Sequence, residues 1–137
     1  MPDDRSTFTH RLVVRFRDCD AMGHVNNAVY FTFLEQCRIA WYQDMGGMPG
    51  VSTMIVHAEC DYRAPLFMQD EIEVRARMTK IGRTSMTMSY ALVRLSDGVL
   101  AAEASTVSVT IDAATHERVP VPDAARAWLD AAIEQPR

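Results

Sequence analysis

Two aspartates, Asp18 and Asp20, stand one residue apart in the segment from Val14 to Trp41, VRFRDCDAMGHVNNAVYFTFLEQCRIAW, directly before a largely apolar stretch with the spacing of a helix. A carboxylate in that place can attack a carbonyl carbon or take a proton from water. The first N–H groups of a helix have no partner inside it and point at whatever sits in front. A carbonyl oxygen held there would be polarised while the carboxylate works on the same group. Taken alone, Asp18 and Asp20 read equally as turn residues or helix caps. Asn26 is a good N-cap, because its side-chain oxygen can accept an orphan N–H. His24 suits either proton transfer or a hydrogen-bonded structural place. Asn27 and Tyr30 face a substrate or a partner, with core packing the other reading for Tyr30.

A second cluster, Lys80-Ile81-Gly82-Arg83-Thr84-Ser85, gathers two cations, a glycine and two hydroxyls between two strand-like runs. This composition suits a phosphate-facing loop and equally a plain hairpin turn. His57, Glu59 and Asp61 alternate within one strand run and so share a face, but three ligands without a fourth read as a solvated face, and no metal is expected. Glu35 and Arg38 are spaced for an i,i+3 ion pair. G-x-S-x-G, Walker-type, G-x-G-x-x-G and H-E-x-x-H patterns are all missing, which excludes serine-triad hydrolysis from the candidate chemistries.

These residues must be held by a simple succession of elements. Phe8 to Arg17 alternates and predicts a strand, Asp18-Cys19-Asp20 closes it, Gly23 permits a tight bend, and Asn27 to Met45 predicts a helix. Val29, Tyr30, Phe33, Leu34, Cys37, Ala40 and Trp41 cover more than one narrow face, leaving Glu35, Arg38 and Gln43 for polar surroundings. Such a helix wants to be wrapped. Gly46-Gly47 stops it, and four strand runs follow at 52–63, 70–80, 84–95 and 99–111, with Ser96-Asp97-Gly98 the clearest hairpin turn. From Glu71 to Met78 apolar side chains alternate with Glu71, Glu73, Arg75 and Arg77, giving one buried and one solvated face. After Pro120 and Pro122, Ala124, Ala125, Trp128, Leu129, Ala132 and Ile133 suggest a short closing helix.

The match at Asp18, Asp20, Gly23, His24, Asn26, Asn27 and Tyr30 resembles the signature of the 4-hydroxybenzoyl-CoA thioesterase-like branch of the hot-dog fold. One strand, one helix and four antiparallel strands fit that α+β fold over about residues 8 to 115, with the sheet curled around a long central helix and a short C-terminal helix added. The resemblance implies an acyl-CoA thioesterase that releases coenzyme A and a carboxylic acid with no metal or redox cofactor. Asp20 takes the catalytic role in that scheme as nucleophile or general base, the N–H near Asn27 supplies the oxyanion site, and Asp18 is structural. Gly23, His24 and Tyr30 then line the substrate, Lys80 and Arg83 receive nucleotide phosphates, and Gly82, Thr84 and Ser85 touch pantetheine. The family suggests a homodimer, often paired into a homotetramer. A noncatalytic acyl-CoA sensor, and an acyl-carrier-protein thioesterase or hydratase, are the competing functions.

Size and charge agree with this frame. The 137 residues predict one domain, and a net charge of -4 argues against a nucleic-acid partner. Cys19, Cys37 and Cys60 are odd in number and far apart, which predicts reduced thiols and a cytoplasmic location. No apolar run reaches the roughly 20 residues of a membrane span, so a soluble, unexported protein is expected.

Overall fold

The alternation from Glu71 to Met78 becomes the middle of a sheet, because Ile72, Val74, Ala76 and Met78 are buried while Arg75 and Arg77 face outward and are exposed. The structure, a computed structural model, describes residues 7–127. Its elements are β1 (Thr7–Val13), a 3-10 turn (Phe16–Asp18), α1 (Val29–Asp44), β2 (Val51–Tyr62), β3 (Glu71–Ile81), β4 (Ser85–Arg94) and β5 (Leu100–Asp112). All five strands form one antiparallel sheet in the order β1-β3-β4-β5-β2, which leaves β1 and β2 at the edges.

Met86, Met88, Tyr90 and Leu92 of β4 and the small Ala101, Ala102 and Ala104 of β5 complete the inner face. Helix α1 lies against it through Tyr30, Phe33, Leu34, Cys37, Arg38 and Trp41, the i, i+3, i+4 stripe of a helix with one buried side. Trp41 stacks on Phe8 of β1 with ring centroids 5.7 Å apart, and the Cys37 thiol reaches the Val74 carbonyl at 4.0 Å. Burying a side chain such as Phe33 or Leu34 contributes about 1.5–3 kcal/mol, so this stripe is the main anchor of the helix. The helix stops as its glycines demand: Gly46 and Gly47 have φ of 97° and 80°, and their N–H groups turn back to the Gln43 and Tyr42 carbonyls.

Three expectations change. The first strand ends at Val13, four residues before Arg17, because the Asp18 carboxylate captures Arg15 and curls Phe16–Asp18 into the 3-10 turn. The ion pair expected between Glu35 and Arg38 does not form. Arg38 turns inward, 7% exposed, and its Nη1 donates to the Tyr90 hydroxyl at 3.3 Å, while Glu35 stays at the surface. The Asp97-Gly98 turn is a hairpin of a longer type, with Arg94 N–H bonded to the Val99 carbonyl and only Gly98 at positive φ. Residues 123–127 are helical; Trp128, Leu129, Ala132 and Ile133 of the expected closing helix lie outside the described residues.

Candidate active site

The two aspartates have opposite surroundings. Asp18 is 3% exposed and accepts from the Arg15 backbone N–H at 2.8 Å and from the Arg15 guanidinium at 3.2 and 3.0 Å. Burial alone would raise its pKa, but the Arg15 hydrogen bonds and the Arg15 and Arg17 charges bring it below the ordinary carboxylate range. Asp18 is thus committed to holding its own turn. Asp20 is exposed; its Oδ1 accepts the Met22 N–H at 2.9 Å, and among the described residues no donor occupies its Oδ2.

A small hairpin presents Asp20. Its N–H bonds to the His24 carbonyl at 2.9 Å, Gly23 donates back to the Asp20 carbonyl at 3.1 Å with a φ of 91°, and Cys19 bridges Val25. Only a residue without Cβ takes that φ cheaply, which is the requirement behind the glycine in the motif. The hairpin is docked on the chain after β2, through Val25 N–H to the Leu66 carbonyl at 2.8 Å and through the His24–Phe67 bridge, where the two rings meet edge to face at 5.9 Å.

The start of α1 follows at once. Asn26 accepts the Ala28 N–H on Oδ1 and the Val29 N–H on its carbonyl, both at 2.9 Å, so it braces the turn ahead of the helix and is not the expected N-cap, a position that Ala28 holds without a side-chain cap. Among the described residues the Asn27 N–H meets no acceptor. Its carbonyl accepts the Tyr62 hydroxyl at 2.7 Å, which braces the Asn27–Ala28 peptide unit, while the unit that carries the Asn27 N–H is held through the Asn26 carbonyl and Val29. His24, Asn27 and Tyr30 line a cleft of about 300 Å³ with Val25, and Tyr62, Arg63, Ala64 and Pro65 form the opposite wall. Tyr30 is buried beneath it, its ring edge-on to Tyr62 at 4.8 Å, and burial pushes its pKa up to about 12, so its hydroxyl stays neutral near neutral pH.

The cleft therefore gathers His24, Asn27 and Tyr30, with Gly23 and Asp20 on the adjoining hairpin and outside its lining. Lys80, Gly82, Arg83, Thr84 and Ser85 are not brought there. They occupy the β3–β4 turn and the strand ends that flank it, beside the Ile81–Met86 pair, whereas the cleft lies past the Ile72–Arg94 end, where Arg94 Nη1 donates to the Pro65 carbonyl at 2.8 Å. The intervening strand spans about 30 Å at the usual rise per residue. That turn is strapped from behind: the Gly82 carbonyl accepts Arg126 Nη2, and the Arg83 carbonyl accepts the Val121 N–H at 2.9 Å. Neither Lys80 nor Arg83 is in an ion pair among the described residues.

Tyr62, Arg63, Ala64 and Pro65 are site residues that the sequence did not single out, Tyr62 and Arg63 being read only as the end of the 52–63 strand run. Tyr62 comes opposite the helix start through the β2–β5 register, Tyr62 against Ala102, and that register is a tertiary property. The alternating acids of β2 are engaged with neighbours: His57 Nε2 lies 3.6 Å from Glu59, Ser105 donates to Glu59 at 2.9 Å, and Arg63 reaches Asp61 at 4.0 Å and Glu103 at 3.0 Å.

Comparison with known proteins agrees with this fold. The model of the thioesterase-like superfamily matches residues 14–129. The chain is 31% identical over 132 residues to a 1,4-dihydroxy-2-naphthoyl-CoA hydrolase of Synechococcus elongatus, covering 85% of this chain and 90% of that protein. A shorter match, 26% identical over 87 residues, covers 61% of this chain and 59% of an uncharacterized protein of Bacillus subtilis. The crystal structure of a 1,4-dihydroxy-2-naphthoyl-CoA thioesterase from Synechocystis has the same fold, with a TM-score of 0.83 at 20% identity over 95% of this chain and 99% of that one. With its five antiparallel strands set against one long helix, the chain belongs to the thioesterase-like superfamily, as a hot-dog-fold enzyme of the thioester hydrolase class.

Proposed function

We propose that the protein hydrolyses an acyl-CoA thioester at the start of α1, with Asp20 as the reacting carboxylate and the Asn27 N–H as oxyanion donor. The observation that carries this reading is the unpaired Asn27 N–H in the cleft together with, on the adjoining hairpin, an exposed carboxylate whose twin, Asp18, is consumed by Arg15. As a general base, Asp20 takes a proton from water while the water oxygen bonds to the thioester carbon. The carbonyl oxygen gathers negative charge against the Asn27 N–H, and collapse breaks the C–S bond to release the coenzyme A thiolate, which recovers a proton. As a nucleophile, Asp20 would instead form an acyl-aspartyl anhydride that water then cleaves. His24 and Tyr30 line the acyl entrance in either course.

The same reading assigns the β3–β4 turn to coenzyme A, with Lys80 and Arg83 on its phosphates and Gly82, Thr84 and Ser85 beside its pantetheine. Because that turn is far from the cleft in one protomer, it serves the cleft of a second copy in a homodimer or homotetramer. An exposed edge favours such pairing: β2 is twelve residues long, lies at the sheet margin and carries Met54, Ile55 and Val56 at the surface. Cys19, Cys37 and Cys60 are free thiols, which suits the cytoplasm. No helix among the described residues is long and apolar enough to cross a membrane. The Synechococcus relative's activity supports a CoA thioester as substrate. A panel of acyl-CoA thioesters assayed for thiol release, with equilibrium binding and sedimentation on the same preparation, tests all of this. Binding without any turnover would make the protein a sensor, and full activity from a monomer would remove the shared site.

A further inference from the structure

The buried stripe of α1 contains a charge. Tyr30, Phe33, Leu34, Cys37, Arg38 and Trp41 are its inward residues, and Arg38 occupies a place where the spacing asks for an apolar side chain. One bond, from Nη1 to the Tyr90 hydroxyl at 3.3 Å, is all its guanidinium makes among the described residues, and that hydroxyl is shared with Thr106 Oγ1 at 2.7 Å. No carboxylate among the described residues lies within ion-pair reach of it. An arginine does not shed its proton. Burying such a cation without a counter-charge is strongly unfavourable, and leucine or methionine would complete the stripe better.

The guanidinium is not sealed in. It lines a groove of about 290 Å³ between α1 and β2, with Phe31, Thr32, Ile55 and Ala58 along the walls. Glu35 stands at the exposed rim, where water screens its charge more than the buried guanidinium's. The same two elements wall the candidate cleft through Tyr30 and Tyr62, so groove and cleft lie along one helix and one strand, on different residues of each. Asn27 and Arg38 are separated by about 16 Å of helix at 1.5 Å per residue, and a helical side chain leans back toward the N-terminus. The guanidinium thus stands on the order of 10 Å from the Asn27 N–H, within the span of an extended acyl group.

We propose that Arg38 is a specificity-determining residue that receives an anionic oxygen at the far end of the acyl group, making a thioester whose acyl chain ends in a carboxylate the preferred substrate class. The inference rests on the thioester hydrolysis proposed above and names the substrate of that same site. The ligand carboxylate supplies the counter-charge that the protomer lacks, and a guanidinium can hold it through two parallel bonds.

The test compares matched pairs of plain acyl-CoA and ω-carboxyacyl-CoA thioesters over a series of chain lengths, for wild type, Arg38→Met and Arg38→Lys. At one length wild type is expected to favour the carboxylate-ended member. Arg38→Met is expected to lower the ratio of kcat/KM within that pair on the order of 10²-fold, as for loss of one partner of a buried charge pair. Arg38→Lys, which keeps the charge but loses the fork, should fall between, and it carries the test if Arg38→Met does not fold. Equal treatment of both members by wild type would overturn the proposal. So would an equal loss on both in Arg38→Met together with dissociation of the oligomer, since the guanidinium would then be answering a second copy. Binding of non-cleavable thioether analogues separates the two levels: a carboxylate preference without turnover keeps the Arg38 assignment and removes the hydrolase reading, and turnover without preference does the reverse.

Discussion

Replacing each aspartate of the Asp18-Cys19-Asp20 turn by asparagine should give opposite phenotypes. Asp20→Asn keeps the side-chain oxygen that accepts the Met22 N–H, so the hairpin survives and stability should change by less than about 0.5 kcal/mol. The amide neither takes a proton from water nor attacks a carbonyl, so turnover should fall on the order of 10²–10⁴-fold with binding nearly intact. Asp18→Asn turns one carboxylate oxygen into an N–H donor facing the Arg15 guanidinium and removes the charge behind three hydrogen bonds. Hydrogen bonds to a charged group contribute about 1.5–3 kcal/mol, and the exposed Arg15 side chain argues for the lower end. For a chain of this size that corresponds to a fall in Tm of about 5–8 °C.

The pH dependence of the second effect has a definite sign. The folded-state pKa of Asp18 lies below its ordinary value of 3.8, so its contribution is present above about pH 4 and is lost as pH falls through the folded value. The stability gap between wild type and Asp18→Asn should therefore close in acid. Thiol release, thioether binding and thermal unfolding measured on the same preparations decide the matter. Near-normal hydrolysis by a folded Asp20→Asn variant, or an unstable Asp20→Asn beside an intact Asp18→Asn, would refute the division of labour.

Two further outcomes are expected. Tyr62→Phe removes the hydrogen bond to the Asn27 carbonyl, which braces the peptide unit next to the candidate oxyanion N–H, so kcat should fall about 2–10-fold with the fold intact, the equivalent of one neutral hydrogen bond; an unchanged kcat would show that Asn27 needs no such brace. Arg83→Ala should raise KM for coenzyme A thioesters more than for short pantetheine thioesters, by an amount that shrinks in high salt, and equal losses on both would place Arg83 away from the nucleotide.

The strands were legible because β3 and β4 keep a period of two through their middles, Val74 to Met78 and Met86 to Leu92, and are punctuated by Gly82 and Gly98. The helix was legible from its stripe and its paired glycines. Arg38 shows where residue type misleads: its position, one turn from Leu34 and three residues before Trp41, is inward, and it was assigned to the surface only because it is charged. The 3-10 turn was hidden because Phe16 and Arg17 extend the strand alternation, and only the Arg15–Asp18 contact breaks it. Asp18, Asp20, Gly23, Asn26 and Asn27 lie in one short stretch, so local chemistry could pick them out. The wall opposite, from Tyr62 to Pro65, is joined to them by strand register across the sheet, which no local pattern encodes.

The strand order also bears on how the molecule assembles. β3, β4 and β5 are neighbours in both sequence and space, joined by short turns, whereas β1 and β2 attach at the margins through distant partners such as Thr7 with Arg77 and Val51 with Asp112. Local pairs close cheaply and distant ones late, so the three-strand meander should form first and the margins dock onto it afterward. Every wall of the candidate cleft, from His24 to Tyr30 and from Tyr62 to Pro65, lies outside that meander. Pulsed hydrogen exchange should protect Met86 to Leu92 before Val25 and Tyr62, and the reverse order would contradict it. Changes in the cleft should then act chiefly by speeding unfolding, leaving the rate of folding to the meander.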